Sequence, residues 1–111
     1  MTLLWFVVND AGIPTAFNAS FNGEADAQVE HDLLRGVMTP VITPLTDDRE
    51  LDTRSLERHV RYLLDAGVGG LWVNGTTGEF YGLNLRERAR VVSECVRIAD
   101  GAVPVIAHAW P

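Results

Sequence analysis

The stretch LWVNGTTGEFYGL, residues 71–83, changes character in its middle. It begins with Leu71, Trp72 and Val73, which suit a buried strand, and continues into GTTGE at residues 75–79, here called the GTTGE loop. Glycines let a backbone approach a ligand closely, and consecutive backbone N–H groups in a turn bind anions. Two alternatives stay open on local chemistry: a strand-to-helix turn whose hydroxyls bond locally, or a binding site for a small carboxylate.

Strands and helices alternate on both sides of this loop. Apolar segments at residues 37–43, 70–74 and 103–108 are predicted strands. Asp52 is a good N-cap for the first intervening helix, and Asn84 with Glu87 resembles a capping box for the second. The predicted buried stripes are Leu56, Val60, Leu63 and Leu64 on the first helix and Ala89, Val92, Val96 and Ala99 on the second. This order predicts right-handed βαβ units with a parallel sheet.

The predicted fold class is α/β. On the pattern alone, the parallel sheet at residues 35–111 continues into either a doubly wound fold or a (β/α)8 barrel, of which it would be the first three βα units. A barrel of this kind needs roughly 250 residues, and the chain has 111, so the pattern predicts a piece of one. Residues 1–34 are predicted to be an acidic N-terminal extension without an assigned function. In it, residues 3–8 resemble a strand that turns back toward residues 15–17, and residues 24–34 have weak helical character.

Composition excludes several classes of function. The net charge of −6 argues against a nucleic-acid partner, whose phosphates need a basic surface. No apolar run is long enough for a membrane span, and the single cysteine and the lack of a basic n-region predict a cytoplasmic protein. The chain has no lysine for a P-loop and no Cys/His cluster for zinc, so neither a cofactor nor a metal is expected.

A family resemblance favours the carboxylate alternative. Residues 36–108 resemble the N-terminal part of the dihydrodipicolinate synthase/N-acetylneuraminate lyase family. The segments that carry the resemblance are Thr43-Pro44, Leu51-Asp52, Gly70-Leu71, the GTTGE loop and residues 103–107. It implies a (β/α)8 barrel, usually a homotetramer, in which a lysine forms a Schiff base with pyruvate or another 2-oxo acid. Members of the family make or break a carbon–carbon bond beside that ketone.

The resemblance also implies roles for individual residues. Thr77 and the backbone N–H groups between Gly75 and Gly78 would bind the carboxylate of the 2-oxo acid. Thr76 would be catalytic as well as substrate-binding, as part of a proton relay with tyrosines, because a hydroxyl both accepts and donates. Thr43 would lie near the mouth of the pocket and contribute to substrate binding.

This sequence departs from the family in one central respect. All nine basic residues are arginine, and the family's Schiff-base lysine and relay tyrosines lie beyond the third strand. The leading hypothesis is therefore an N-terminal fragment of a pyruvate-dependent lyase or aldolase that has the carboxylate-binding loop and lacks the nucleophile. The alternative is a non-catalytic chain that associates with a partner through an open parallel sheet with two unpaired edges.

Other conspicuous residues are interpreted as structural. His59 flanks the apolar stripe of the first helix and is interpreted as half-buried and hydrogen-bonded, and Cys95 as a core residue. The residues Arg86, Arg88, Arg90 and Arg97 are interpreted as a solvated helix face. The stretch Ala107-His108-Ala109-Trp110 stands where the family often has glycines, and its bulk predicts a reshaped pocket.

Overall fold

The computed structural model describes residues 4–8, 14–18 and 34–109. In this part of the chain the elements are β1 (Leu4–Val8), β2 (Pro14–Asn18), β3 (Met38–Pro40), α1 (Thr53–Asp65), β4 (Gly70–Val73), a 3-10 helix (Phe80–Gly82), α2 (Leu85–Ala99) and β5 (Val105–Ala109). The five strands form one sheet in the order β2-β1-β5-β4-β3. No helix among the described residues is both long and apolar enough to span a membrane.

The three strands β3, β4 and β5 are parallel, as the alternation of strands and helices predicted. β3 is shorter than the strand expected at residues 37–43. Its pairing with β4 ends at the hydrogen bond from Val41 N to Trp72 O, which is 2.9 Å long. Beyond it Leu45 bridges Leu51, so the chain turns back instead of extending the strand to residue 43. β5 starts at Val105 and not at residue 103.

The helix caps match their sequence signals. The Asp52 carboxylate accepts from Ser55 N at 3.0 Å, and Asn84 with Glu87 forms a complete capping box. Gly67 follows α1 with a φ of 83°, which suits a C′ glycine. These caps set where each helix begins, and thereby how long the preceding loops are.

The core lies between the parallel strands and the two helices. On α1 the predicted stripe is confirmed, because Leu56, Val60 and Leu63 are buried and Leu64 packs against them.

On α2 the predicted stripe is off by one residue. The buried residues are Val91, Cys95, Ile98 and Ala99, whereas Val92 and Val96 are partly buried and Ala89 is exposed. Two adjacent faces of α2 carry apolar residues. The face with Val91 and Cys95 packs against α1 and the strands and is therefore the buried one.

The N-terminal residues add an antiparallel hairpin to this sheet. β1 pairs with β2 in the antiparallel direction, so the two expected strands are confirmed, while residue 3 and the turn expected at residues 9–12 lie outside the described residues. β1 also pairs with β5 along its whole length, from Leu4 opposite Ala109 to Val8 opposite Val105. The expectation of two unpaired parallel edges is therefore wrong at β5, because β1 satisfies that edge. The helical character expected at residues 24–34 falls almost wholly outside the described residues, and the domain boundary at residue 34 stays a prediction.

Candidate functional site

The GTTGE loop leaves the carboxyl end of β4 as a tight turn. Asn74 and Glu79, on either side of its first four residues, both have left-handed backbones, with φ of 59° and 55°. Asparagine tolerates this conformation better than most residues. The Glu79 N–H donates to the Thr76 carbonyl at 3.0 Å and closes the turn. These backbone angles and this hydrogen bond define the shape of the turn.

Thr43 connects the loop to the segment that follows β3. Its Oγ1 donates to the Gly78 carbonyl at 2.7 Å. Gly78 is buried, and a Cβ atom there would lie 3.0 Å from the Val41 carbonyl oxygen and 3.3 Å from Thr43 Oγ1. A glycine is therefore required for this close approach, and the ends of β3 and β4 are held side by side.

The two central threonines of the loop face outward. Thr76 and Thr77 are both exposed, whereas Gly75 is half-buried beneath the Trp72 indole. A Cβ atom at Gly75 would lie 2.9 Å from Trp72 Nε1. The structure therefore brings Thr43 and the loop together and leaves the two hydroxyls accessible at the carboxyl ends of the strands. Binding of a substrate by these residues stays a prediction.

His108 joins the end of β5 to the same loop. Its Nδ1 lies 3.0 Å from the Asn74 carbonyl oxygen, and because a carbonyl only accepts, Nδ1 carries the proton. The His108 ring also meets Phe80 edge to face, with 4.9 Å between centroids. The sequence marked His108 as unusual but missed this contact. The parallel register of the folded chain explains the contact, since Val73 opposite Ala107 places the next residues of the two strands together.

Arg88 fixes the exit of the loop to α2, which corrects its assignment to a solvated face. Its Nε donates to the carbonyls of Phe80 and Leu83, both at 2.9 Å, and its guanidinium lies 5.3 Å from the Phe80 ring centroid. The Asn74 amide in turn donates to the Arg88 carbonyl at 3.0 Å. The solvated-face interpretation holds for Arg97, which pairs with Glu94 at 2.8 Å on the surface.

Cys95 and His59 have the structural roles expected of them. Cys95 is fully buried, and burial raises the pKa of its thiol to about 12, so it is not a nucleophile at neutral pH. His59 is half-buried, and its Nε2 accepts from Ile42 N at 3.4 Å. Burial lowers the pKa of His59, because the charged imidazolium loses hydration there.

The histidine gives a pH prediction. Since the pKa of His59 is lower in the folded chain than its ordinary 6.5, the folded state binds fewer protons and loses stability as pH falls through 6.5. Above that pH His59 is neutral in both states, so its protonation no longer changes stability with pH. We expect the free energy of unfolding to fall less steeply between about pH 7 and pH 5 in His59→Gln than in the wild-type chain. Urea titrations at several pH values measure this, and identical slopes for the two proteins would contradict it.

No group of three or more His, Cys, Asp or Glu side chains in the described part of the chain is arranged to hold a metal ion. The contacts above define the candidate site as the GTTGE loop with Thr43, Asn74, His108 and Arg88 around it. Its chemical groups are hydroxyls, turn amides and an imidazole, which suit hydrogen bonding to a small oxygen-bearing ligand.

Comparison with known proteins identifies the family. A model of the dihydrodipicolinate synthetase family matches residues 33–109. The chain belongs to this family. A 4-hydroxy-tetrahydrodipicolinate synthase of Thermotoga neapolitana is 49% identical over 77 residues, and an N-acetylneuraminate lyase of Salmonella paratyphi B is 40% identical over 75 residues. The match covers 69% and 68% of this chain and 26% and 25% of those relatives, so the chain spans about a quarter of their length.

Solved structures of the family agree with the fold. The dihydrodipicolinate synthase of Thermotoga maritima has a TM-score of 0.63 at 48% identity, and the match covers 66% of this chain and 24% of that one. YagE of E. coli K12, solved in complex with pyruvate, has a TM-score of 0.63 at 36% identity, and the match again covers 66% of this chain and 24% of that one. The fold class is confirmed: β3, β4 and β5 with their helices are a truncated α/β unit of the family's TIM barrel, corresponding to its N-terminal part.

Proposed function

We propose that this chain carries the carboxylate-binding part of the pyruvate site of a Schiff-base lyase or aldolase of this family. The observation that carries the proposal is the Thr43–Gly78 hydrogen bond of 2.7 Å, which fixes the GTTGE loop at the carboxyl ends of β3 and β4. In (β/α)8 barrels the active site lies at that end of the strands. Two relatives, YagE and the Acinetobacter baumannii dihydrodipicolinate synthase, were solved with pyruvate bound.

The chemistry of the loop suits a 2-oxo acid carboxylate. The backbone N–H groups from Gly75 to Gly78 and the exposed Thr77 hydroxyl are donors that can converge on one anion. Hydrogen bonds between such donors and a carboxylate are stronger than neutral ones. The exposed Thr76 hydroxyl can accept a proton from one neighbour while it donates to another, and so serves a proton relay.

Thr43 acts mainly on the loop in this proposal. Its hydroxyl proton is engaged by the Gly78 carbonyl, so only its oxygen lone pairs remain for a substrate donor or for water. Thr43 therefore holds the binding amides in place and contributes to the substrate pocket only as an acceptor.

The nucleophile is proposed to come from outside these 111 residues. The Schiff-base mechanism depends on a side-chain amine, and the sequence has arginine but no lysine. Arginine stays protonated at all ordinary pH values and cannot replace it. We further propose a cytoplasmic location and, for the complete protein, a homotetramer with a small 2-oxo acid as substrate. The net charge of −6 supports the expectation of no nucleic-acid partner.

A chimera tests the role of the loop. Residues 33–109 of this chain replace the 77-residue segment of the Thermotoga neapolitana synthase that they resemble. Within this chimera we expect Thr77→Val to raise the KM for pyruvate by about tenfold or more, because a hydrogen bond to a charged group contributes roughly 1.5–3 kcal/mol. Steady-state kinetics with varied pyruvate measure the change.

The matched control is Ser93→Ala, which removes a hydroxyl that bonds only the Ala89 carbonyl on the exposed side of α2. Its KM for pyruvate should equal that of the chimera. Equal values of KM for Thr77→Val and Ser93→Ala would contradict the assignment of Thr77 to the carboxylate.

The alternative function, association through an open parallel sheet, has lost its main support. β1 covers the β5 edge, so of the parallel strands only β3 stands at an edge of the described sheet. β3 has three residues and includes Pro40, which cannot donate to a neighbouring strand. No contact in the described residues favours this alternative.

A further inference from the structure

The N-terminal hairpin pairs with β5 on the side away from β4. Five consecutive residue pairs join β1 to β5, whereas three join β4 to β5. β1 lies between β2 and β5, so it has a partner strand on each side. The hairpin is therefore a full part of the sheet, although it lies outside the residues that match the family.

The direction of β1 is incompatible with continuation of the barrel. In a (β/α)8 barrel all eight strands are parallel and each is followed in space by the next one along the chain. The strand after β5 in such a barrel would pair with β5 in parallel, at the edge that β1 occupies in the antiparallel direction. One strand edge offers a single row of N–H and C=O groups, so both strands cannot pair there at once.

The hairpin has two advantages in this competition. It is joined covalently to the sheet through the chain between β2 and β3, and a tethered competitor acts at a high effective concentration. Its pairing with β5 is also antiparallel, which is slightly more stable per residue than parallel pairing. A strand that pairs with β5 in the parallel direction must therefore displace a hairpin that is tethered to the sheet and has the slightly more stable pairing.

We propose that the β1–β2 hairpin is an autoinhibitory edge cover, which closes the β5 edge and must leave before a barrel-completing strand can pair there. The partner that it excludes is a polypeptide with the remaining βα units of a family barrel, presenting a strand parallel to β5. The inference rests on strand pairing and not on the proposed carboxylate site. The chimera described above contains no hairpin, so the two proposals fail or succeed separately.

A reversible cross-link tests the edge cover. Phe6 and Ala107 are directly opposite one another, and such residues in an antiparallel pair have Cα atoms about 4.5–5.5 Å apart, within reach of a disulfide. Phe6→Cys with Ala107→Cys is expected to form an intramolecular disulfide that locks the hairpin on β5. Leu4→Cys with Val105→Cys is the matched control, because these residues lie four register positions apart and should not cross-link. Cys95 is buried and should not interfere.

The readout is binding of the part of the Thermotoga neapolitana synthase that follows its matched segment, supplied as a separate polypeptide and followed by sedimentation velocity. We expect the reduced Phe6→Cys/Ala107→Cys chain to bind it at least about tenfold more tightly than the oxidised chain, since the tether no longer has a covalent lock. A variant without residues 1–18 should bind more tightly still. Equal binding by oxidised and reduced chains, no binding in any state, or cross-linking of the control pair in place of the in-register pair would overturn the proposal.

Discussion

Gly69→Ala is expected to unfold at a much lower urea concentration than the wild-type chain. A Cβ atom at this position would lie 1.8 Å from the carbonyl oxygen and 2.8 Å from the carbonyl carbon of Arg35. Both are backbone atoms, and the Gly69 N–H donates to the Val37 carbonyl at 2.8 Å, so neither segment can move away without breaking the entry to β3 and β4. We expect a loss of about 3 kcal/mol or more, at the upper end of overpacking effects.

The matched control is Gly82→Ala, at the end of the 3-10 helix. A Cβ atom there meets nothing within 4 Å, so the free energy of unfolding should stay within about 0.5 kcal/mol of the wild type. Urea unfolding followed by circular dichroism measures both variants. Similar midpoints for Gly69→Ala and Gly82→Ala would contradict the close backbone approach between residues 35–37 and Gly69.

Leu71→Ala is expected to have the second large effect on stability. Leu71 is fully buried in β4, the middle strand of the parallel unit, and belongs to the core cluster with both helices. Removal of a buried leucine side chain costs about 2–5 kcal/mol, from lost burial and from the cavity left behind. The backbone bond from Leu71 N to the Pro104 carbonyl is unaffected, so the loss reports on packing alone.

The control for this substitution is Leu85→Ala, which removes the same atoms from a residue that is 75% exposed at the start of α2. Its free energy of unfolding should change by no more than about 0.5 kcal/mol. The difference between the two midpoints in urea measures the burial of Leu71. Equal losses for Leu71→Ala and Leu85→Ala would place the core elsewhere.

Elements with strong local signals could be predicted from the sequence. The caps at Asp52 and Asn84 and the Leu56–Val60 stripe depend on residues three or four apart, and all are present in the structure. The position of the GTTGE loop after β4 follows from the same local alternation of strand and helix. Such features need no knowledge of distant parts of the chain.

Features that depend on distant contacts could not be predicted. Arg88 alternates with acidic residues along α2 as a surface arginine would, and only the folded loop brings the Phe80 and Leu83 carbonyls to its Nε. The buried side of α2 is decided by contact with α1 and the strands, which its own periodicity left ambiguous. The pairing of β1 with β5 likewise joins segments at opposite ends of the sequence, and no local pattern specifies which edge a hairpin will join.

The candidate site combines both kinds of information. Thr76 and Thr77 were identified from the loop sequence and lie exposed at the carboxyl end of β4. The hydrogen bonds that shape the loop, from Thr43 to Gly78 and from His108 to Asn74, cross between strands and emerged only from the structure. The loop and its exposed hydroxyls can therefore be located from the residues, whereas the contacts that shape the loop require the fold. Binding of a carboxylate by the loop stays a prediction.

Borohydride reduction in the presence of pyruvate, followed by intact-mass and peptide mass spectrometry, shows whether the Schiff-base nucleophile lies inside or outside this chain. The measurement compares the 111-residue chain with the chimera that carries residues 33–109 in the Thermotoga neapolitana synthase. We predict a pyruvate adduct on a lysine from the Thermotoga part of the chimera, and no side-chain adduct on the 111-residue chain, whose only aliphatic amine is its N-terminus. A side-chain adduct within the 111-residue chain, or a folded chimera that traps no pyruvate, would show that the pyruvate site is not divided in this way.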